Sequence, residues 1–367
     1  MSISTPPRTA VPASKLGYLS GIGTVFGLEI RQRVRNRGWY IMLGIWFVVV
    51  AAVVGLAALS VGLEEVGPGQ MMFELVIAFV LFFGMLIAPA LSANSITGDR
   101  ANGTLAILQN TLLTPGQLLW GKWLASWAAS LGFLVVTIPL IGWAMTYGDV
   151  YLPAAPVLVG MLAVELGIVC ALGVGISALA NRTLFAVMVT YLLVALLGLG
   201  TLIAYGLSMQ LVKVEVQVSE QVWPEEYQSG EFYGTWDEEN YTCGTRLYPE
   251  QSFATERITW LLAANPFVVV ADAVPQAPAP ADEQMFNAAG PMGAISEGVR
   301  YSQAGPKSQI PCLNGVKSVD PPQAQNPGPL WPLGLGIQLL LAAGILVAGR
   351  NKLKTPAGKL ASGTRIA

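Results

Sequence analysis

The chain has 367 residues, 53% of them hydrophobic and 11% charged, with a formal net charge of −2 and a mean hydropathy of +0.56. A soluble domain carries about a quarter charged residues, so this balance excludes that class and indicates an integral membrane protein. Histidine is absent and the three cysteines are widely spaced, which leaves no zinc-type ligand spacing and no histidine-based catalytic triad.

Residues 1–40 form a polar, basic lead without a small-residue cleavage pattern. No cleavable signal peptide is expected, and the start of the chain is expected in the cytoplasm. Within the lead, GTVFGLEIRQRVRNRGWYIML (23–43) predicts an amphipathic helix lying at the interface. Phe26, Ile30 and Val34 recur at four-residue spacing, Arg31, Arg33, Arg35 and Arg37 spread around them, and Trp39-Tyr40 mark the hydrocarbon boundary. Such a helix can serve attraction to anionic membrane lipid, contact with a partner subunit, or both.

Runs of roughly 18 or more mostly apolar residues, enough to cross the bilayer as helix, recur six times. They fall near 41–62, 72–94, 119–146, 155–179, 183–208 and 331–349. The expected fold class is an all-α polytopic membrane protein of six transmembrane helices. The N-terminal amphipathic helix precedes them, and a small α+β external domain (209–330) separates spans five and six. Outside 209–330 every Lys and Arg lies in the lead, at Arg100 and Lys122, at Arg182, or in the basic tail 350–367. Six crossings put all of these on one side, the cytoplasm by the positive-inside rule, while the opposite loops carry Glu64, Glu65 and Asp149 and no base.

Between spans two and three, residues 95–118 interrupt the apolar sequence. Gly116, Gly121 and Lys122 stand at the G-x-x-x-x-G-K spacing of a phosphate-binding loop. Trp123 occupies the place of the required Ser or Thr, and the residues lead straight into a span, so a nucleotide site is rejected. The stretch reads instead as a short helix across the membrane face. Gly98, Asp99, Arg100 and Asn102 supply polar and turn chemistry, and Thr104, Leu105, Ile107 and Leu108 supply a small apolar face fit to press into a partner. Thr114-Pro115 then opens the next helix.

In span four, Glu165 is a costly group in hydrocarbon and has three readings: a transport role, a protonated acid, or a bond to a neighbouring helix. Glu74, early in span two, reads as an outer-interface residue. Gly167, Gly173 and Gly175, with Ala171 and Ser177, form a small-residue stripe suited to close helix packing. Phe82 and Phe83, with Trp127 and Trp143, could line an apolar path or face lipid.

Segment 209–330 holds fifteen of the 22 acidic residues against six bases. It opens with LVKVEVQVSE, whose alternation predicts a half-buried strand. WLLAANPFVVVADAVP (260–275) is apolar but short and Pro-broken, so it should lie at the outer interface or dip in and return. Cys243 and Cys312 fall in this external piece, where a disulfide is permitted and only one pairing exists; two unpaired thiols are the alternative.

Gly98-Asp99-Arg100, Gly103-Thr104-Leu105, Leu108, Thr114-Pro115 and Gly121-Lys122 together resemble a stretch of the permease subunits of type-2 ABC exporters. Asp99 stands where Glu is usual, and Asn110-Thr111-Leu112-Leu113 modifies the approach to Thr-Pro. The whole plan is similar too, and NPFVVVADA (265–273) resembles a segment found before the last span of bacterial members. The resemblance implies that this loop is a coupling helix seated on a separate ATPase. Two ATPase subunits would carry ATP and Mg, this chain holding no cofactor of its own, and a second permease copy or paralogue would complete the path. It further implies a bacterial cytoplasmic membrane, no nucleic-acid partner and no catalytic site in this chain. A membrane scaffold or sensor whose external domain binds a ligand or partner is the alternative reading. A secondary transporter is disfavoured by the scarcity of intramembrane acids and broken helices.

Overall fold

A computed structural model describes residues 17–61, 69–105, 113–147, 150–223, 241–275, 290–317 and 328–354. Helix α1 (Tyr18–Arg35) is the amphipathic lead, and the chain turns sharply at Asn36, whose backbone is extended (ψ 119°). Asn36 Oδ1 accepts from Gly38 N at 2.9 Å and starts α2 (Arg37–Val61), the first span. The second span is α3 (Gly69–Ser92), followed after one turn by the short α4 (Thr97–Ala101). The third, α5 (Pro115–Ala144), opens on a capping box. Gln117 N donates to Thr114 Oγ1 at 3.3 Å, and Thr114 N donates to Gln117 Oε1 at 2.7 Å.

The fourth span is α6 (Ala154–Leu179). The fifth runs from α7 (Thr183–Ala195) through a π-helical turn at Leu196–Gly200 into α8 (Thr201–Ser208). Among the described residues six helices are long and apolar enough to cross a membrane, as the sequence reading expects, with the second reaching Ala101 and the third starting at Pro115. Span four is the axle of the bundle: 67% of its apolar window is buried, against 17% for the first span and 22% for the fifth. Its small residues explain this position. An added Cβ at Gly167 would meet the Trp127 ring at 3.0 Å, and one at Gly175 would meet Ile345 at 2.7 Å. The stripe therefore serves helix packing.

Strands β1 (Lys213–Val222) and β2 (Thr242–Phe253) form an antiparallel ribbon in register Lys213↔Phe253 through Val218↔Tyr248, with a bulge between Ser219 and Gln221. The expected Val alternation is the half-buried face of β1. After β2, 3-10 turns at Thr255–Arg257 and Thr259–Leu262 lead to α9 (Pro266–Asp272), then α10 (Pro291–Ala304) and α11 (Pro306–Gln309). Strands β3 (Cys312–Leu313) and β4 (Val316–Lys317) complete the sheet in the order β2-β1-β3-β4. Cys243 and Cys312 are joined as a disulfide across β1, Cα to Cα 5.5 Å. The last span is α12 (Trp331–Leu353).

Segment 260–275 is largely buried, although Trp260 at its start is exposed. Asn265 Oδ1 caps α9 through Phe267 N at 2.9 Å, and Val268 to Asp272 are buried. Asp272 Oδ2 accepts from Leu330 N at 2.6 Å and Trp331 N at 2.9 Å, so this turn caps the start of α12.

Candidate functional site

The stretch after span two folds as α4 and is bolted to its own chain on three sides. At its start, Ile96 N and Thr97 N both donate to Ser177 Oγ of α6 at 3.0 Å, so a side chain from span four satisfies two free amides of the short helix. At its end, Arg100 donates to Ala180 O, to Asn181 Oδ1 at 3.3 Å and to Ala178 O at 3.5 Å. These carbonyls close the C-terminus of α6, where a cation is favoured by the helix dipole. Lys352 of α12 donates to Leu179 O at the same place.

The third attachment is an ion-pair node. Lys122 Nζ, 3% exposed, contacts Asp99 Oδ2 at 2.8 Å and pairs with Glu29 of α1. Glu29 Oε2 stands 3.9 Å from Arg33 Nη1. One buried ammonium thus joins the lead helix, α4 and span three. Burial lowers the pKa of Arg33 from its ordinary value, an effect that Glu29 opposes.

The G-x-x-x-x-G-K spacing has a packing cause. An added Cβ at Gly116 would meet Tyr18 Oη at 2.9 Å, and one at Gly121 would meet Val25 Cβ at 2.6 Å. Both glycines let α1 lie against α5, and Gln117 Nε2 donates to Gly17 O at 3.3 Å and Tyr18 O at 3.2 Å. Lys122 itself is the buried node between α1, α4 and α5. The side of the lead helix that packs on the chain runs Gly21, Val25, Glu29, Arg33, while Val34 of the apolar stripe is 48% exposed.

Gly103, at φ +74°, makes the turn that leaves α4, and Thr104 Oγ1 donates to Asp99 O at 3.1 Å. Ala101, Asn102, Gly103 and Thr104 are exposed and form the tip, while Gly98, Asp99 and Arg100 are half-buried. Leu105, expected on an outward apolar face, is buried with Ile96, Leu118 and Leu119. Leu108 lies outside the described residues.

The family model described as ABC-2 family transporter protein matches residues 24–284. The chain belongs to the ABC-2 transporter family. No curated protein matches it. It is therefore a multi-pass membrane protein of a transport-subunit family, and that family implies partnership with an ABC ATPase subunit.

Elsewhere in this permease, Glu165 is fully buried, and neither carboxylate oxygen has a hydrogen-bond partner among the described residues. The Gln338 side chain of α12 lies within bonding reach of it. Gln338 Nε2 donates to Ala264 O at 3.1 Å, which turns the amide so that Oε1 remains without a partner among the described residues. Phe83 belongs to a different group, with ring centroids 4.4 Å from Phe79, 5.2 Å from Phe82 and 6.0 Å from Trp46. Phe82 is 52% exposed. Glu74, read from the sequence as an outer-interface residue, lies near the start of span two and is buried there. It accepts from Gln70 Nε2 at 2.7 Å and from Gly293 N at 2.8 Å, capping α10 in the manner of an N-cap.

Sequence reasoning missed Glu29 and Gln338, and read Ser177 only as a packing residue. Glu29 had a signal: it is the sole carboxylate of the lead helix, set among arginines. Ser177 and Gln338 carried none, because a polar residue in an apolar run reveals its partner only when helices meet.

Proposed function

We propose that this permease is the membrane-spanning subunit of an ATP-driven exporter, paired with a second permease and served by two ATPase subunits. The observation that carries the reading is the node around α4. A short helix whose tip is exposed, while its base is fastened to α1, α5 and α6, suits receipt of motion from a partner and its passage into three elements at once. The tip, Ala101 to Thr104, docks on the ATPase. Asp99, Arg100 and Leu105 transmit, since their side chains are committed inward.

Lys and Arg gather at the α4 end, where Arg33, Arg100, Lys122 and Lys352 make their contacts, which favours placing that end and both termini in the cytoplasm and the sheet outside. The bacterial cytoplasmic membrane is the setting, and ATP and Mg belong to the partner. The first and fifth spans, least covered within the chain, offer the faces for lipid and for the second permease copy.

Copurification and ATP turnover test the division of labour. Asn102→Trp, at the tip, should lower ATPase copurification about tenfold, as a clash at a docking centre does. Lys122→Met should leave more complex intact and lower substrate-stimulated turnover. ATP binding by the isolated permease that is lost in Lys122→Met would oppose the proposal.

A further inference from the structure

Span five changes company at its π turn. Thr201 N reaches back five residues to Leu196 O, so Leu196–Gly200 holds one residue more than an α-helical turn and shifts carbonyls off the usual ladder. Before the turn, α7 belongs to the bundle: Ala186 is buried with Ile176 of α6, and Tyr191 Oη donates to Leu86 O of α3 at 2.8 Å. Beyond it, α8 has no buried residue and packs against the 3-10 turn Thr259–Leu262. Its Tyr205 rests on the cluster of Leu262, Val268 and Val299, and Tyr205 Oη shares a hydrogen bond with Ser302 Oγ of α10 at 2.5 Å. A helix of eight residues without a buried face depends on such ties. Asn265, 1% exposed, supplies more of them. Its Nδ2 donates to Gly198 O at 2.9 Å and to Thr201 Oγ1 at 3.0 Å, while its Oδ1 caps α9. The two residues before it meet span six: Ala264 O accepts from Gln338 Nε2 at 3.1 Å, and a Cβ added at Gly334 would stand 2.0 Å from Ala263 O.

We propose that the π turn is the hinge of span five and that Asn265 is the positioning residue that sets its angle. On one side of the hinge, α7 stays with spans two and four. On the other, α8 goes with α9, α10 and the strand that follows it at Lys213. The two arms of Asn265 divide the work: Oδ1 holds α9 together, and Nδ2 draws the displaced carbonyl of Gly198 toward the 260–275 segment. When α10 shifts, α8 follows through Tyr205 and Ser302, and the bend at Gly198 takes up the change. The contacts of α7 with α3 and α6 then need not break. Use of the hinge in an export cycle rests on the proposed function; the hinge itself rests on these hydrogen bonds.

Hydrogen exchange of the full chain in lipid nanodiscs, read by mass spectrometry, tests the assignment. Asn265→Ser keeps a side-chain oxygen for the α9 cap but is too short to reach Gly198 O, so it separates the two arms. Peptides of α8 should exchange about tenfold faster, the equivalent of one strong or two ordinary hydrogen bonds, while those of α7 and α9 keep wild-type rates. Loss of a cap alone would move α9 instead. Thr201→Val removes one acceptor and leaves Asn265 in place, and α8 should then exchange about threefold faster. Spin labels on unnatural residues at Leu184 and Leu207, both 71% exposed, read the bend itself. Their distance distribution should broaden in Asn265→Ser. The melting transition shows whether each variant folds, and Thr201→Val, labelled in the same way, decides the matter if Asn265→Ser does not fold. Wild-type exchange in α8, a change confined to α9, or an unaltered distance distribution would overturn the proposal. No ATPase takes part in either measurement, so such a failure leaves docking at α4 untouched.

Discussion

Lys122 shows how one side chain can organise an end of the bundle. Removing a partner from a buried ion pair costs about 3 to 5 kcal/mol because it strands the opposite charges. Glu29 and Asp99 keep 20% and 25% exposure, so Lys122→Met should cost about 3 kcal/mol, near the low end of that range. Lys122→Arg should cost less. Thermal melting of the detergent-solubilised chain compares the two. Glu165 makes a different demand: Gln at that position can donate to Gln338 Oε1, whereas Leu cannot. Glu165→Gln should therefore melt above Glu165→Leu by about 1 kcal/mol, the net worth of one buried hydrogen bond. If Gln also exports at the wild-type rate, the carboxyl has no transport role.

Glu297 on α10 gives a pH prediction. Burial raises its pKa, the nearby Glu74 raises it further, and Arg300 opposes both. A carboxyl raised in the fold holds a proton that the unfolded chain has already released. Its contribution therefore favours the fold at low pH and is lost as pH rises from the ordinary glutamate value of about 4.3 through the raised one. Melting curves across that window should fall with pH, and Glu297→Gln should flatten them; an unchanged slope in the variant contradicts the assignment.

At the scale of elements, the disulfide between β2 and β3 closes a loop with a sequence separation of 69 residues. Replacing Cys243 and Cys312 with Ser should destabilise the sheet by about 2 to 4 kcal/mol. Faster limited proteolysis of the sheet, with the spans still intact, is the expected sign. The six spans were legible because runs of Leu, Val, Ile and Ala need no partner to be recognised. The strand opening at Lys213 was legible from its alternation, and the start of α5 from Thr114-Pro115. The seam of α1 was not. Apolar periodicity marked Phe26, Ile30 and Val34 as the membrane-facing stripe, whereas the packed side carries Gly21, Val25 and the Glu29–Arg33 pair, a run with a single large apolar residue. Leu105 was misjudged for a related reason: a leucine on a short polar helix looks like a docking face until the neighbouring helix covers it. The π turn in span five was also invisible. Asn265 Nδ2 donates to Gly198 O at 2.9 Å and to Thr201 Oγ1 at 3.0 Å, joining two segments more than sixty residues apart.

Across the whole molecule, span two is fastened at both ends to a candidate moving part. Glu74 caps α10 at one end, and at the other the chain passes directly into α4, held by Ser177, Arg100 and Lys122. Motion of α4 is thereby linked through a helix to the sheet-bearing unit. Glu74→Ala should free α10 at a cost of about 1 kcal/mol, as loss of a cap does, and should weaken any effect of ATPase turnover on proteolysis of that unit.

The central claim, that the tip of α4 docks an ATPase, is tested most directly by photo-crosslinking in intact membranes. A crosslinking residue is placed at Asn102 on the tip, and separately at Val316, 67% exposed on β4. The account predicts an adduct with the ATPase subunit from Asn102 and none from Val316. No ATPase adduct from Asn102, or one from Val316, would contradict it.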